Sequence, residues 1–170
     1  MPPTTQRIVW LEQVSIYESH NNALADRYLV GADSDRRSCE ALLAVAIPMV
    51  EGEILIAEGK IDSGIEQLRA AIQKEDALKY DEPPGWLIPV RHSLGAVLMK
   101  QQRFAEAEQV YRDDLAHLPE NGWSLLGLAE SLRKQKENAD EIAQTQRKFE
   151  KVWAKADLTI TTSCLCQPQA

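Results

Sequence analysis

Apolar positions recur at helical spacing along most of the chain, in blocks separated by turn-forming residues. Ile8, Leu11, Val14 and Tyr17, then Leu24 and Tyr28, predict one helix or two short ones over 6–30, with a break at His20-Asn21-Asn22. Residues 31–35 read as a loop in which Asp33 to Asp35 offer N-caps. The block 36–58 sets Cys39, Leu42, Leu43 and Ile47 along one side, with Cys39 read as a core residue. Pro48 inside it lacks a backbone donor and crowds the preceding turn, which predicts a kink or a break. After a tight turn at Glu58-Gly59-Lys60, Asp62 or Ser63 caps a helix to about Lys74, with Ile65, Leu68, Ala71 and Ile72 facing inward. Residues 75–85 contain Pro83-Pro84 and Gly85 and predict a stiff, extended connector. Helices follow over about 86–100, 103–117, 121–135 and 138–156, with Asn121 as a cap and Pro119 as a stop. The tail 158–170 opens on β-branched residues and reads as extended and partly ordered at best.

The helical blocks are copies of one another. Moving residues 91–119 forward by 34 puts Arg91, Leu94, Gly95 and Leu98 on Leu125, Leu128, Ala129 and Leu132. Moving them back by 43, which is 34 plus a nine-residue insertion, puts Gly95 on Gly52, Leu98 on Leu55, Ala107 on Gly64 and Tyr111 on Leu68. A period of about 34 residues marks stacked helix–turn–helix units, none of which buries its apolar face alone. Small residues (Gly52, Gly64, Gly95, Ala107, Ala129) stand where paired helices cross closely.

These residues resemble the tetratricopeptide repeat (TPR). The middle copy departs from the family at Arg91, where Trp is frequent, and at Asp114, where a small residue is usual; the first has Glu51 at the Leu position, and the last loses register after Lys136. The runs 80–86 (YDEPPGW), 89–96 (PVRHSLGA), 119–123 (PENGW) and 156–160 (ADLTI), with Ser163-Cys164-Leu165-Cys166, are similar to the C-terminal part of large bacterial TPR proteins of unknown function, over about 38–166. The resemblance implies an all-α fold, a TPR-like alpha-alpha superhelix of about three hairpins (about 45–78, 88–121 and 122–155) with an insertion at 79–87. The repeat domain then occupies 36–157, between an N-terminal helical segment and loop, 1–35, and the tail, 158–170. Such proteins usually carry further repeats upstream, so the chain reads as a shortened relative or a piece of one.

Charge and cysteines narrow the class. Net charge is −7, which disfavours nonspecific nucleic-acid binding, since that requires basic surface. The most apolar run, 41–50, is half the roughly 20 residues needed to cross a membrane. The N-terminus shows no secretory signal pattern, and three cysteines without one suggest a cytoplasmic protein with no disulfide framework.

Candidate chemistry is sparse. In TPR proteins the first helix of each pair lines an inner groove that holds peptides or partner helices. The corresponding positions are Met49, Glu53, His92, Ala96, Met99, Leu126, Glu130 and Arg133. Members that clamp a terminal carboxylate use Lys, Arg and Asn there, whereas His92, Ala96 and Glu130 exclude that mode. The insertion, with Tyr80, Asp81, Glu82 and Trp86, reads either as a lip of the groove or as two aromatic anchors around the prolines. His92 with Asp81 or Glu82 could form a base–orienter pair, against a plain surface or groove histidine. Cys164 and Cys166 are soft ligands for Cu(I) or Zn(II), but no further ligand lies nearby in sequence, so no metal is assigned. No phosphate loop, dinucleotide glycine motif or H-E-x-x-H is present, so no cofactor is expected. The sequence therefore points to a non-catalytic module for a protein or peptide partner, with a homodimer through Ile8, Trp10, Leu11 and Val14 as an added expectation. The alternatives are a metal-handling or redox protein and a structural piece of a larger array.

Overall fold

The computed structural model describes residues 33–79, 84–136, 138–164 and 166. Among them the chain forms six α-helices and no strand: α1 Asp33–Ala57, α2 Ile61–Asp76, α3 Val90–Lys100, α4 Phe104–His117, α5 Gly122–Gln135 and α6 Ala139–Trp153. No helix of the described residues is long and apolar enough to cross a membrane. The expectations for 6–30, including the dimer contact, and for Tyr80, Asp81 and Glu82 lie outside the described residues.

The chain divides into two compact units, Met1–Leu43 and Ala44–Ala170. Of the first, only the opening of α1 is described; there Cys39 is exposed, so its assignment to the core is corrected. In the second unit, loops of three or four residues join α1 to α2, α3 to α4, α4 to α5 and α5 to α6. Connections this short make neighbouring helices antiparallel. From α2 onward each helix packs on the next, and α3 also meets α5 directly. The core runs from Val45 through Leu68, Leu94, Leu98 and Tyr111 to Leu132. At the α1–α2 crossing the backbones nearly touch: a Cβ on Gly64 would stand 2.7 Å from the Gly52 carbonyl oxygen.

Several local expectations are corrected. Of the kink or break expected at Pro48, the break is absent: α1 continues through it. α2 begins at Ile61 behind Lys60, which makes no side-chain cap, so neither Asp62 nor Ser63 caps it. α3 begins at Val90 rather than 86, because Pro89 disfavours helical geometry in the residue before it and itself takes the N-cap place. Asn121 does cap α5, its side chain accepting from the backbone N–H of Trp123 and Ser124. The tail departs most from expectation: Ile160, Ser163 and Cys164 are 6%, 5% and 2% exposed.

Candidate functional site

The tail residues lie against one face of α3 and α5. Ala96, Met99 and Lys100 come from α3, at the i, i+3, i+4 spacing that shares a face, and Leu126, Gly127 and Glu130 come from α5. With Thr161, Thr162 and Ser163 they surround a groove of about 410 Å³. Tyr111, reaching in from α4, forms its floor. Its ring is wedged between two glycines: a Cβ on Gly95 would stand 2.3 Å from it, and one on Gly127 2.4 Å. The missing side chains let the ring pass between α3 and α5, so the hydroxyl emerges to meet Ser163 Oγ at 2.5 Å. Burial pushes the Tyr111 phenol well above its ordinary range, and the Ser163 bond offsets this in part.

Further bonds fix the same segment. Trp153 Nε1 donates to the Leu158 carbonyl at 2.6 Å, and Thr162 Oγ1 donates to the Cys164 carbonyl at 2.9 Å. Cys164 and Cys166 are joined by a disulfide, where the sequence suggests no disulfide framework. Cys164 Sγ accepts the backbone N–H of Cys166 at 3.0 Å and lies 3.7 Å from Ser93 Oγ. Ser93 in turn donates to Glu53 Oε1 at 3.2 Å. Burial raises the Glu53 carboxyl above the usual range, with the Ser93 bond acting the other way.

A second cavity, of about 610 Å³, opens between the connector, α3 and the α4–α5 turn. Arg91 makes a two-pronged bond to Asp76, at 2.8 and 2.7 Å, which lowers the Asp76 carboxyl. Val90 N–H donates to Glu75 Oε2 at 3.1 Å; burial nonetheless raises the Glu75 carboxyl. Deeper in, Ser124 Oγ donates to Asp114 Oδ2 at 2.6 Å, and that oxygen lies 3.4 Å from His92 Nε2. Asn121 Nδ2 stands 2.8 Å from the same imidazole nitrogen. Because Asn121 Oδ1 already accepts the two capping N–H groups, its amide nitrogen faces the ring. His92 and Asp114 are both buried, so the reading of His92 as a surface or groove histidine is corrected. The Ser93 hydroxyl is engaged with Glu53 and that of Ser124 with Asp114, so neither is aligned with the imidazole as a nucleophile would be.

The sequence-derived groove set is thus divided. Ala96, Met99, Leu126 and Glu130 come together along the tail, Glu53 reaches it through Ser93, and Arg133 bonds Glu130 and, at 2.6 Å, Gln146. Met49 packs on the core, whereas His92 and Trp86 line the second cavity. Trp86 Nε1 is the one buried side-chain nitrogen or oxygen among the described residues without a hydrogen-bond partner. Sequence reasoning missed Gly127 and Ser163. The readable signal was a β-branched run carrying a single large apolar residue, Ile160, which suits a strand-like segment burying one face. Among the described residues no three His, Cys, Asp or Glu side chains group as a metal site would require. Comparison with protein-family models, with curated proteins and with solved structures finds no match.

Proposed function

We propose that the protein is a non-catalytic interaction module of the TPR kind, whose α3–α5 groove holds a peptide segment of a protein partner. The observation that carries the reading is the tail itself: Ile160, Ser163 and Cys164 are buried, and Thr161, Thr162 and Ser163 line that face. Ala96 and Gly127 keep the walls low, and Tyr111 offers a buried hydroxyl to a hydroxyl-bearing side chain. The fitting partner is a segment that bends as residues 161–163 do, with one β-branched apolar residue and a Ser or Thr three positions on, as Ile160 and Ser163 are spaced. Net charge of −7 favours a protein over a nucleic acid as that partner, and the setting in keeping with the sequence is cytoplasmic.

The test uses the full chain with Ile160→Asp, which weakens the tail's own hold, and a fluorescent peptide of sequence 157–163. The variant is expected to bind the peptide saturably and more tightly than the unaltered chain does. A peptide carrying aspartate at the isoleucine position should not bind. Equal failure of both proteins to bind the unaltered peptide would remove the reading.

A further inference from the structure

The groove segment ends in a feature that packing does not explain. Cys164 and Cys166 share a disulfide, yet they are two positions apart and tie no helix to another. A cross-link stabilises a fold more as the loop it closes lengthens, and this loop is very short. The two sulfurs also differ in surroundings. Cys164 is 2% exposed, and its Sγ already faces a backbone N–H and the Ser93 hydroxyl. Cys166 is exposed. An incoming thiolate therefore reaches the Cys166 sulfur and expels that of Cys164. The Cys166 N–H at the expelled sulfur stabilises it as a thiolate, which helps it to leave. Once protonated, it has a place to stay. The single Ser93 hydroxyl proton points at Glu53, so Ser93 Oγ can accept from a Cys164 thiol.

We propose that Cys164–Cys166 is a reversible exchange site for small-molecule thiols, and that its redox state sets how firmly residues 160–164 hold the groove. In the first step a thiolate, RS⁻, attacks Cys166 Sγ. An RS–Cys166 bond forms, the Cys164–Cys166 bond breaks, and its electron pair goes to Cys164 Sγ, which takes a proton from solvent. A second RS⁻ attacks the R sulfur of the mixed disulfide, forms RS–SR and releases Cys166 as a thiolate, which is then protonated. The protein gains two electrons and two protons, and two thiols become their disulfide. With the ring open, the exposed Cys166 no longer constrains the turn at the buried Cys164, while the Ser163 and Thr162 bonds remain. The effect on groove occupancy rests on the peptide-binding reading above; the exchange chemistry does not.

The experiment holds the full chain in buffers of graded glutathione to glutathione disulfide ratio, quenches with acid, alkylates, and locates the labels by mass. Cys39, exposed and unpaired, serves as the label control. Amide hydrogen exchange of 160–164 is followed in the same buffers and in Cys166→Ser, which cannot close the ring. Cys164 and Cys166 are expected to titrate together while the α4 amides stay protected, with the mixed disulfide on Cys166. Exchange at 160–164 is expected to rise roughly tenfold on reduction and in Cys166→Ser alike. Reduction that occurs only when α4 loses protection, or a mixed disulfide on Cys164, overturns the exchange site. Unchanged exchange at 160–164 in both the reduced chain and Cys166→Ser overturns the coupling. If the thiols titrate as expected but the 157–163 peptide fails to bind Ile160→Asp, the groove reading falls and the exchange site stands.

Discussion

Tyr111 joins the structural and functional halves of the molecule. Its ring is fully buried between Gly95 and Gly127, and its hydroxyl is the groove's central polar contact with the tail. Neither glycine has room for a methyl, and Tyr111 has nowhere to retreat. Gly95→Ala and Gly127→Ala are each expected to destabilise the fold by about 2–3 kcal/mol, read as a lower urea midpoint. Gly59→Ala is the contrast: its φ is +83° but nothing lies near its Cβ position, so backbone strain alone should cost about 1 kcal/mol. Equal effects at all three positions would mean that the wedge around Tyr111 is not tight. Gly95 and Tyr111 were legible from the repeat spacing. Gly127 was not, because the shift of 34 lands Gly95 on Ala129, two positions away. Arg91 and Asp114 were visible as departures from the repeat, but their partners were not. Asp76 lies across the connector and Ser124 beyond the next turn, and no local rule connects such pairs.

Among the elements, α5 carries the most. It supplies one wall of the groove, while its N-cap residue, Asn121, reaches His92. Asn121→Ala removes the acceptor for Trp123 and Ser124 and the donor to the imidazole together, and should cost about 2 kcal/mol in thermal or chemical unfolding. Asn121→Ser keeps a capping oxygen without the amide donor and should recover roughly half of that. If Ser and Ala behave alike, the cap contributes nothing and the His92 bond carries the whole effect. Helix placement was largely readable from apolar periodicity, and the errors have identifiable causes. Pro48 marks a break or kink by propensity, but α1 continues past it and forgoes one backbone bond. The tail reads as loose because its composition is polar; its order comes from Tyr111 and Ser93, which lie far off in sequence, together with the nearby Trp153.

For the whole molecule, stability should depend on pH through carboxyls of opposite kinds. Glu53 and Glu75 are raised by burial, so the folded chain holds their protons more tightly than the unfolded chain does. Their contribution is fully present below the ordinary glutamate range, roughly pH 4.3, and is lost as pH rises through the folded values. Asp76 and Glu106, lowered chiefly by hydrogen bonds from Arg91 and Arg103, contribute above their ordinary range and lose that contribution as pH falls. Glu53→Gln keeps an acceptor for Ser93 but cannot ionise. Its stability relative to the unaltered chain should therefore increase as pH is raised from the acid side, measured as paired urea midpoints across a pH series. A constant difference would show that Glu53 ionisation is not linked to folding. On the proposed peptide-binding function, the docked tail also makes the chain its own competitor. A segment tethered a few residues beyond α6 meets the groove at an effective concentration on the order of millimolar, so a soluble peptide gains entry only during the fraction of time the tail is away. The affinity measured for any partner is its intrinsic affinity scaled down by that fraction, and a binding screen run on the oxidised chain would pass over partners that the reduced chain retains.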